Sequence, residues 1–505
     1  MSQRIAWMFV VGLFAAWVSL FFISPPARDY LLQSFSASDS AYTVYDDFKL
    51  MPNKSLVVFK IFALCVLYLI YRSRSGEWAQ SHQCWLMIFH LSGGLCICLW
   101  WPSIICVCVI LFAIGYAWND AKAAQSKRIW ILAALTALSL LLRLEKIPNV
   151  YESPLQPDSS QYVELSQQMT WFYDTQHREP LLAWIDRALS LVFPIPADLS
   201  VHGYLPIRLV TVFLSCLVVI LVYVFGMQFF SHRAAFLAAL LISVNKAFVY
   251  RSLQGLREEL LILGILTVLA LSMKKYETRK WTLAVALGIS SGALLLVRTA
   301  CLPFVIFTFA FAGWRKCRSL RELCIAGLIC LILASPYYIY CWKLFGDPMY
   351  SGSYHVNKFY YMTVFNTGAP DTSTVPFVTT GHLMFHIFHW YQSLALTIEG
   401  TLDTLFGRFA LRLFYLPCSV IWIGCSAVGY LLWWKDSLKR WWIVLMLLLL
   451  GPMAFILAML NHSSVVFDWR TVLHLAPFMA YAAADGLFYL LERMDLISPS
   501  SVPHG

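Results

Sequence analysis

The chain has 505 residues, 60% of them hydrophobic and only 13% charged, so it carries far more apolar surface than a soluble fold can bury. Its net charge of +10 gathers in short turns between apolar runs, which implies orientation in a bilayer and no nucleic-acid partner. Fourteen cysteines suggest a disulfide framework by number alone, yet most, such as Cys96, Cys98, Cys106 and Cys108, sit inside apolar runs as small apolar side chains.

Lipid offers no partner to an open backbone group, so apolar runs of this length must be helical. In chain order the expected spans lie near 5–24, 55–71, 84–100, 103–118, 129–145, 206–229, 234–250, 257–273, 281–297, 299–313, 323–341, 411–433, 441–460 and 471–491. The expectation is an all-α polytopic membrane protein with about 14 transmembrane helices. The first run lacks a convincing cleavage site before Pro25 and Pro26 and is kept as a span. Basic residues mark one face: Arg72 and Arg74, then Lys122, Lys127 and Arg128, then the turns 274–280, 314–322 and 435–440. That face is cytoplasmic by the positive-inside rule, which puts the long loops 146–205 and 342–410 outside. Residues 1–120 read as an accessory membrane domain of four spans, and 121–505 as the working domain.

The first external loop carries PDSSQYVELSQQM (157–169) and HREPLLAWIDRAL (177–189), whose spacing predicts short interfacial helices over 160–170 and 179–192. Two readings stand for Asp158: an N-cap for a helix starting near Ser159, or a working carboxylate at the edge of the bilayer. Glu179 precedes Pro180 at a helix start, where the macrodipole favours a carboxylate, and Arg178 lies beside it. Arg257 and Glu258 open a span and act either as an interfacial anchor or, clustered with Glu259, as the lining of a cavity mouth. Arg298 lies between two short apolar segments, and Arg470 begins the last span just after Asp468. Boundary arginines snorkel or bind; a guanidinium that never loses its charge suits phosphate oxygens. The second external loop offers Lys343, Asp347 and His355 among tyrosines, a composition suited to sugar contacts. His382, His386 and His389 share a helical face without a metalloprotease-type pattern.

The loop acid followed by Tyr-x-x-Leu, then Arg-Glu-Pro-Leu opening a second helix, resembles the GT-C superfamily of integral-membrane glycosyltransferases. QGLREEL (254–260), VRTACLPF (297–304), FGDP (345–348) and DWRTVLHLAPFMAYAAADGL (468–487) follow in the order that family shows, over about residues 125–491. The resemblance implies transfer of a sugar from a polyprenyl-phosphate-linked donor to a lipid, glycan or protein acceptor on the external face. It implies general-base or acceptor-positioning duty for Asp158, the expected catalytic residue, and the chemistry of their guanidiniums makes Arg470, Arg298 and Arg257 the candidates to bind the donor phosphate. Arg178, Glu179, Glu258, Lys343, Asp347, His355 and Asp468 would line the substrate cavity. No cofactor is required by it, and a divalent cation between Asp158 and a second acid is left open. The chain departs from the pattern in placing this loop after the fifth span; the rival loop 25–53, with Asp46 and Asp47, lacks a following Arg-Glu-Pro. A multi-span transporter or flippase, and a lipid-linked polysaccharide polymerase or ligase, are the alternatives; the chain lacks the matched halves usual in carriers. With no retention signal at its carboxyl end, a bacterial inner membrane with a periplasmic site is the expected setting.

Overall fold

A computed structural model describes residues 125–144, 155–176, 178–196, 204–273, 280–348, 419–436, 439–449 and 473–494, with single positions such as Tyr350 and Ser351. The first four expected spans, Asp46, Asp47, His355, the triple-histidine face, Asp468 and Arg470 lie outside the described residues. Among the described residues every regular element is a helix. They are α1 (Gln125–Leu144), α2 (Pro157–Gln168), α3 (Pro180–Ser190), α4 (Leu205–Phe229), α5 (His232–Val244), α6 (Lys246–Arg251) and α7 (Glu258–Met273). There follow α8 (Lys280–Val297), a 3₁₀ turn (Thr299–Cys301), α9 (Leu302–Trp314), α10 (Leu320–Phe345), α11 (Ser419–Lys435), α12 (Arg440–Leu449) and α13 (Ala476–Arg493).

Three of these, α4, α8 and α10, are long and apolar enough to cross a membrane. Helix α10 turns Leu328, Leu331, Ile332 and Trp342 outward, exposed apolar side chains of the kind that face lipid. The expected span 234–250 is instead two helices, because Asn245 stops α5 and caps α6 by accepting the Phe248 N–H at 2.8 Å. The expected span 299–313 likewise opens with the 3₁₀ turn before α9 begins.

Arg143, near the end of the expected span 129–145, is fully buried and ties three helices together. Its Nε donates to Ser215 Oγ on α4 at 2.9 Å, and its Nη1 to Ser139 Oγ at 2.7 Å and the Ser243 carbonyl on α5 at 3.3 Å. A charge inside such a bundle is tolerated only with partners of this kind.

Helices α11 and α13 approach through small residues. A Cβ at Gly429 would strike the Ala482 carbonyl, and one at Gly486 the Cys425 carbonyl. Both obstacles are backbone, so neither can rotate away. Gly486→Ala is therefore expected to destabilise the protein by about 1–3 kcal/mol or more, read as a lower unfolding temperature in detergent, whereas Gly327→Ala, which meets nothing within 4 Å, should not.

Helices α2 and α3 form a small unit with its own core of Leu155, Tyr162, Val163, Leu182, Ala183, Leu199, Tyr204 and Ile207. Leu182 in such a place contributes about 1.5–3 kcal/mol. Several bonds fasten the unit to the bundle. Ser159 Oγ donates to the Gln254 carbonyl at 2.6 Å, Tyr173 to the Leu333 carbonyl at 3.0 Å, and Tyr340 to Asp174 at 2.8 Å. The first depends on Gly255, whose positive φ of 68° shapes the turn between α6 and α7 and whose missing side chain leaves room for Ile207.

Candidate functional site

Pro157 starts α2 with no amide to satisfy, and Gln156 is its N-cap without a side-chain bond. Asp158 is thus inside the first turn, which corrects the N-cap reading: its carboxylate reaches across to α3. The observed helices, Pro157–Gln168 and Pro180–Ser190, are set by these prolines and differ by a few positions from the expected 160–170 and 179–192. Arg178 Nη2 donates to Asp158 Oδ1 at 2.8 Å and to Gln161 Oε1 at 2.6 Å, while its Nε meets the same Gln161 oxygen at 3.0 Å. Asp158 is the more open partner, its side chain 31% exposed against 9% for Arg178.

Glu179 occupies the N-cap of α3 yet makes no side-chain cap. Its carboxylate accepts from Arg257, from the Thr299 amide at 3.1 Å and from the Ser351 hydroxyl. Arg257 Nη1 also donates to the Tyr162 hydroxyl at 2.9 Å and the Val297 carbonyl at 3.2 Å. Five separated stretches of chain therefore converge: the α2 start, the α3 start, the α7 start, the junction between α8 and the 3₁₀ turn, and Ser351 beyond α10.

Burial pushes the Glu179 carboxyl up, but the Arg257 guanidinium, the Ser351 hydroxyl and the Thr299 amide outweigh it and hold the group at about 2. Glu179 is accordingly a fixed anion at neutral pH and no proton acceptor. Tyr162 is driven the other way, its phenol raised first by burial, so it stays protonated.

Two donor sets remain open. Among the described residues no acceptor meets Arg178 Nη1, or Arg257 Nε and Nη2. Arg178 is paired with the partly exposed Asp158, and the Tyr162 ring is near both guanidiniums, so the arrangement offers an anion site near a carboxylate. Arg298 is half-buried at the start of the 3₁₀ turn, adjoining Thr299, and Asp347 is buried close before Ser351. Glu258 and Glu259 are both buried in the first turn of α7, so neither sits at an open cavity mouth. Lys343 is exposed on the last turn of α10 and has no bond to the cluster. Among the described residues no three histidine, cysteine, aspartate or glutamate side chains gather to hold a metal.

Sequence reasoning missed Tyr162, Gln161, Thr299 and Ser351. The first two were within reach: positions three and four after Asp158 share its helical face. It also missed Asp186, buried in α3 with neither carboxylate oxygen hydrogen-bonded; burial raises its pKa well above the ordinary carboxylate range.

Residues 177–340 match the family model of the dolichyl-phosphate-mannose-protein mannosyltransferases, a stretch that contains Arg178, Glu179, Arg257 and Arg298 and stops short of Asp158. No curated protein matches the chain. Among solved structures, the chain is similar to the Archaeoglobus fulgidus oligosaccharyltransferase in complex with zinc and sulfate, at 16% identity and a TM-score of 0.42, over 72% of this chain and 49% of that one. The apo form of that protein gives 14% identity and a TM-score of 0.31, over 71% and 56%. The chain spans about half the length of these solved proteins.

Proposed function

We propose that the chain is a membrane glycosyltransferase of the GT-C type that moves a sugar from a polyprenyl-phosphate donor to an acceptor nucleophile on the external face. The match over residues 177–340 supports the class. The observation that carries the chemistry is the juxtaposition of a partly exposed carboxylate, Asp158, with two guanidiniums that keep unused donors, Arg178 and Arg257.

Asp158 takes the proton of the acceptor hydroxyl or amine as the nucleophile attacks the anomeric carbon. The bond from that carbon to the phosphate oxygen breaks, and its electron pair leaves with the lipid phosphate. Arg257 and Arg178 then face the charge that develops there, with Arg298 beside them; fixed guanidiniums stabilise it without reorganising. Arg178 has a second effect. Paired with Asp158, it holds that carboxylate in place beside the acceptor. Glu179 keeps Arg257 charged and oriented. Arg470 belongs to the proposed donor side, and Asp468, Lys343, Asp347 and His355 remain candidates for the substrate cavity.

The test is direct. Purified full-length protein, given a polyprenyl-phosphate sugar and an acceptor, should release polyprenyl phosphate in step with glycosylated product. Movement of the lipid-linked sugar across vesicle membranes without its cleavage would instead favour a flippase.

A further inference from the structure

We infer that Tyr162 is a positioning residue that braces Arg178 and Arg257 at a fixed separation for the phosphate of the donor, an inference that rests on the glycosyltransferase reading above. Its ring is 1% exposed and lies 5.5 Å from the Arg178 guanidinium carbon and 6.0 Å from that of Arg257. One aromatic face system thus supports both cations, an attraction that strengthens where water is excluded. The hydroxyl adds direction. By accepting Arg257 Nη1 at 2.9 Å, beside Glu179 and the Val297 carbonyl, it helps to saturate that nitrogen and leaves Nε and Nη2 without an acceptor among the described residues.

The two ion pairs share no carboxylate. Asp158 and Gln161 hold Arg178, while Glu179 holds Arg257, and the Tyr162 ring lies near both arginines. Its place follows from the sequence. Tyr162 is one helical turn after Asp158, so the residue that supplies the carboxylate and the residue that braces the cations rise and fall together on α2. A phosphate held by two guanidiniums needs their spacing fixed, since a misplacement of about 1 Å costs on the order of a hundredfold.

Tyr162→Phe keeps the ring and removes the hydroxyl; Tyr162→Leu removes both. Each is made in the full chain, and two quantities are read: the donor KM against kcat, and the binding of a polyprenyl monophosphate that carries no sugar. Tyr162→Phe should raise the donor KM and the lipid-phosphate Kd together by about tenfold, the usual range for a hydrogen bond to a charged group, with kcat falling less. Tyr162→Leu should raise both by about a hundredfold, with Phe standing as the partial rescue. Parental KM and Kd in both variants overturns the brace. So does a loss of folded protein with unchanged KM and Kd in what remains, which is the mark of a purely structural tyrosine. A parental protein that binds the lipid phosphate but never cleaves a lipid-linked sugar overturns the glycosyltransferase reading instead, and the binding arm still decides the brace.

Discussion

Asp158→Asn is expected to lower turnover on the order of a hundredfold or more, the usual range for removing a positioned general base. The substitution is a clean one. Asparagine keeps an oxygen for Arg178 Nη2 to donate to, so the local geometry has no reason to move. The lost ion pair is partly exposed and sits beside Gln161, which continues to hold Arg178, so stability should change by about 1 kcal/mol or less. Initial rates with a lipid-linked sugar, together with an unfolding temperature, separate the two effects. An Asn variant that transfers sugar at the parental rate, while Asp46→Asn is inactive, would move the base to the loop at 25–53.

The second large effect is on stability. Glu179→Ala removes the carboxylate paired with Arg257, leaving the neighbouring Glu258 as a less direct counter-charge, and should cost about 3 kcal/mol, the lower end expected for breaking a buried pair. Adding Arg257→Met should recover part of that loss, because the orphaned charge is then gone. The pH dependence has a definite sign. Glu179 is depressed in the folded protein from an ordinary 4.5 to about 2, so its contribution is complete above about 4.5 and is lost as pH falls through about 2. Across that window the parental protein should lose roughly 3 kcal/mol that Glu179→Gln does not lose. Unfolding temperatures of the two proteins between pH 5 and pH 2 that run parallel would contradict the assignment.

The long apolar helices were legible because charges bracket them. The runs 206–229, 257–273 and 281–297 each coincide to within a residue with α4, α7 and α8. The break at Asn245 was not read, although a capping asparagine is a local signal, because apolar residues continue on both sides of it and mask the interruption. The burial of Arg143 was hidden for a related reason. Its partners Ser215 and Ser243 lie 72 and 100 residues away, and nothing in the local pattern distinguishes a boundary arginine from a buried one. The same limit applied at the site. Asp158, Arg178, Glu179, Arg257 and Arg298 could each be singled out by type and setting, but which acid meets which base is a property of the packed bundle. Glu179 looked like a helix-start carboxylate and is the anion that fixes Arg257, a partner 78 residues downstream.

The fastenings of the α2 and α3 unit also bear on how the protein is made. Tyr340 reaches back 166 residues to Asp174, and Tyr173 reaches forward 160 residues to Leu333. At a ribosomal pace of about 5–20 residues per second, the unit waits roughly ten to thirty seconds after its own synthesis before α10 emerges to hold it. For that interval Asp158 and Arg178 belong to a nascent hairpin while Arg257 and Thr299 are still being threaded through the insertion machinery. Assembly of the proposed site is therefore a late event in biogenesis, and a polypeptide arrested before α10 would carry Asp158 without its seat.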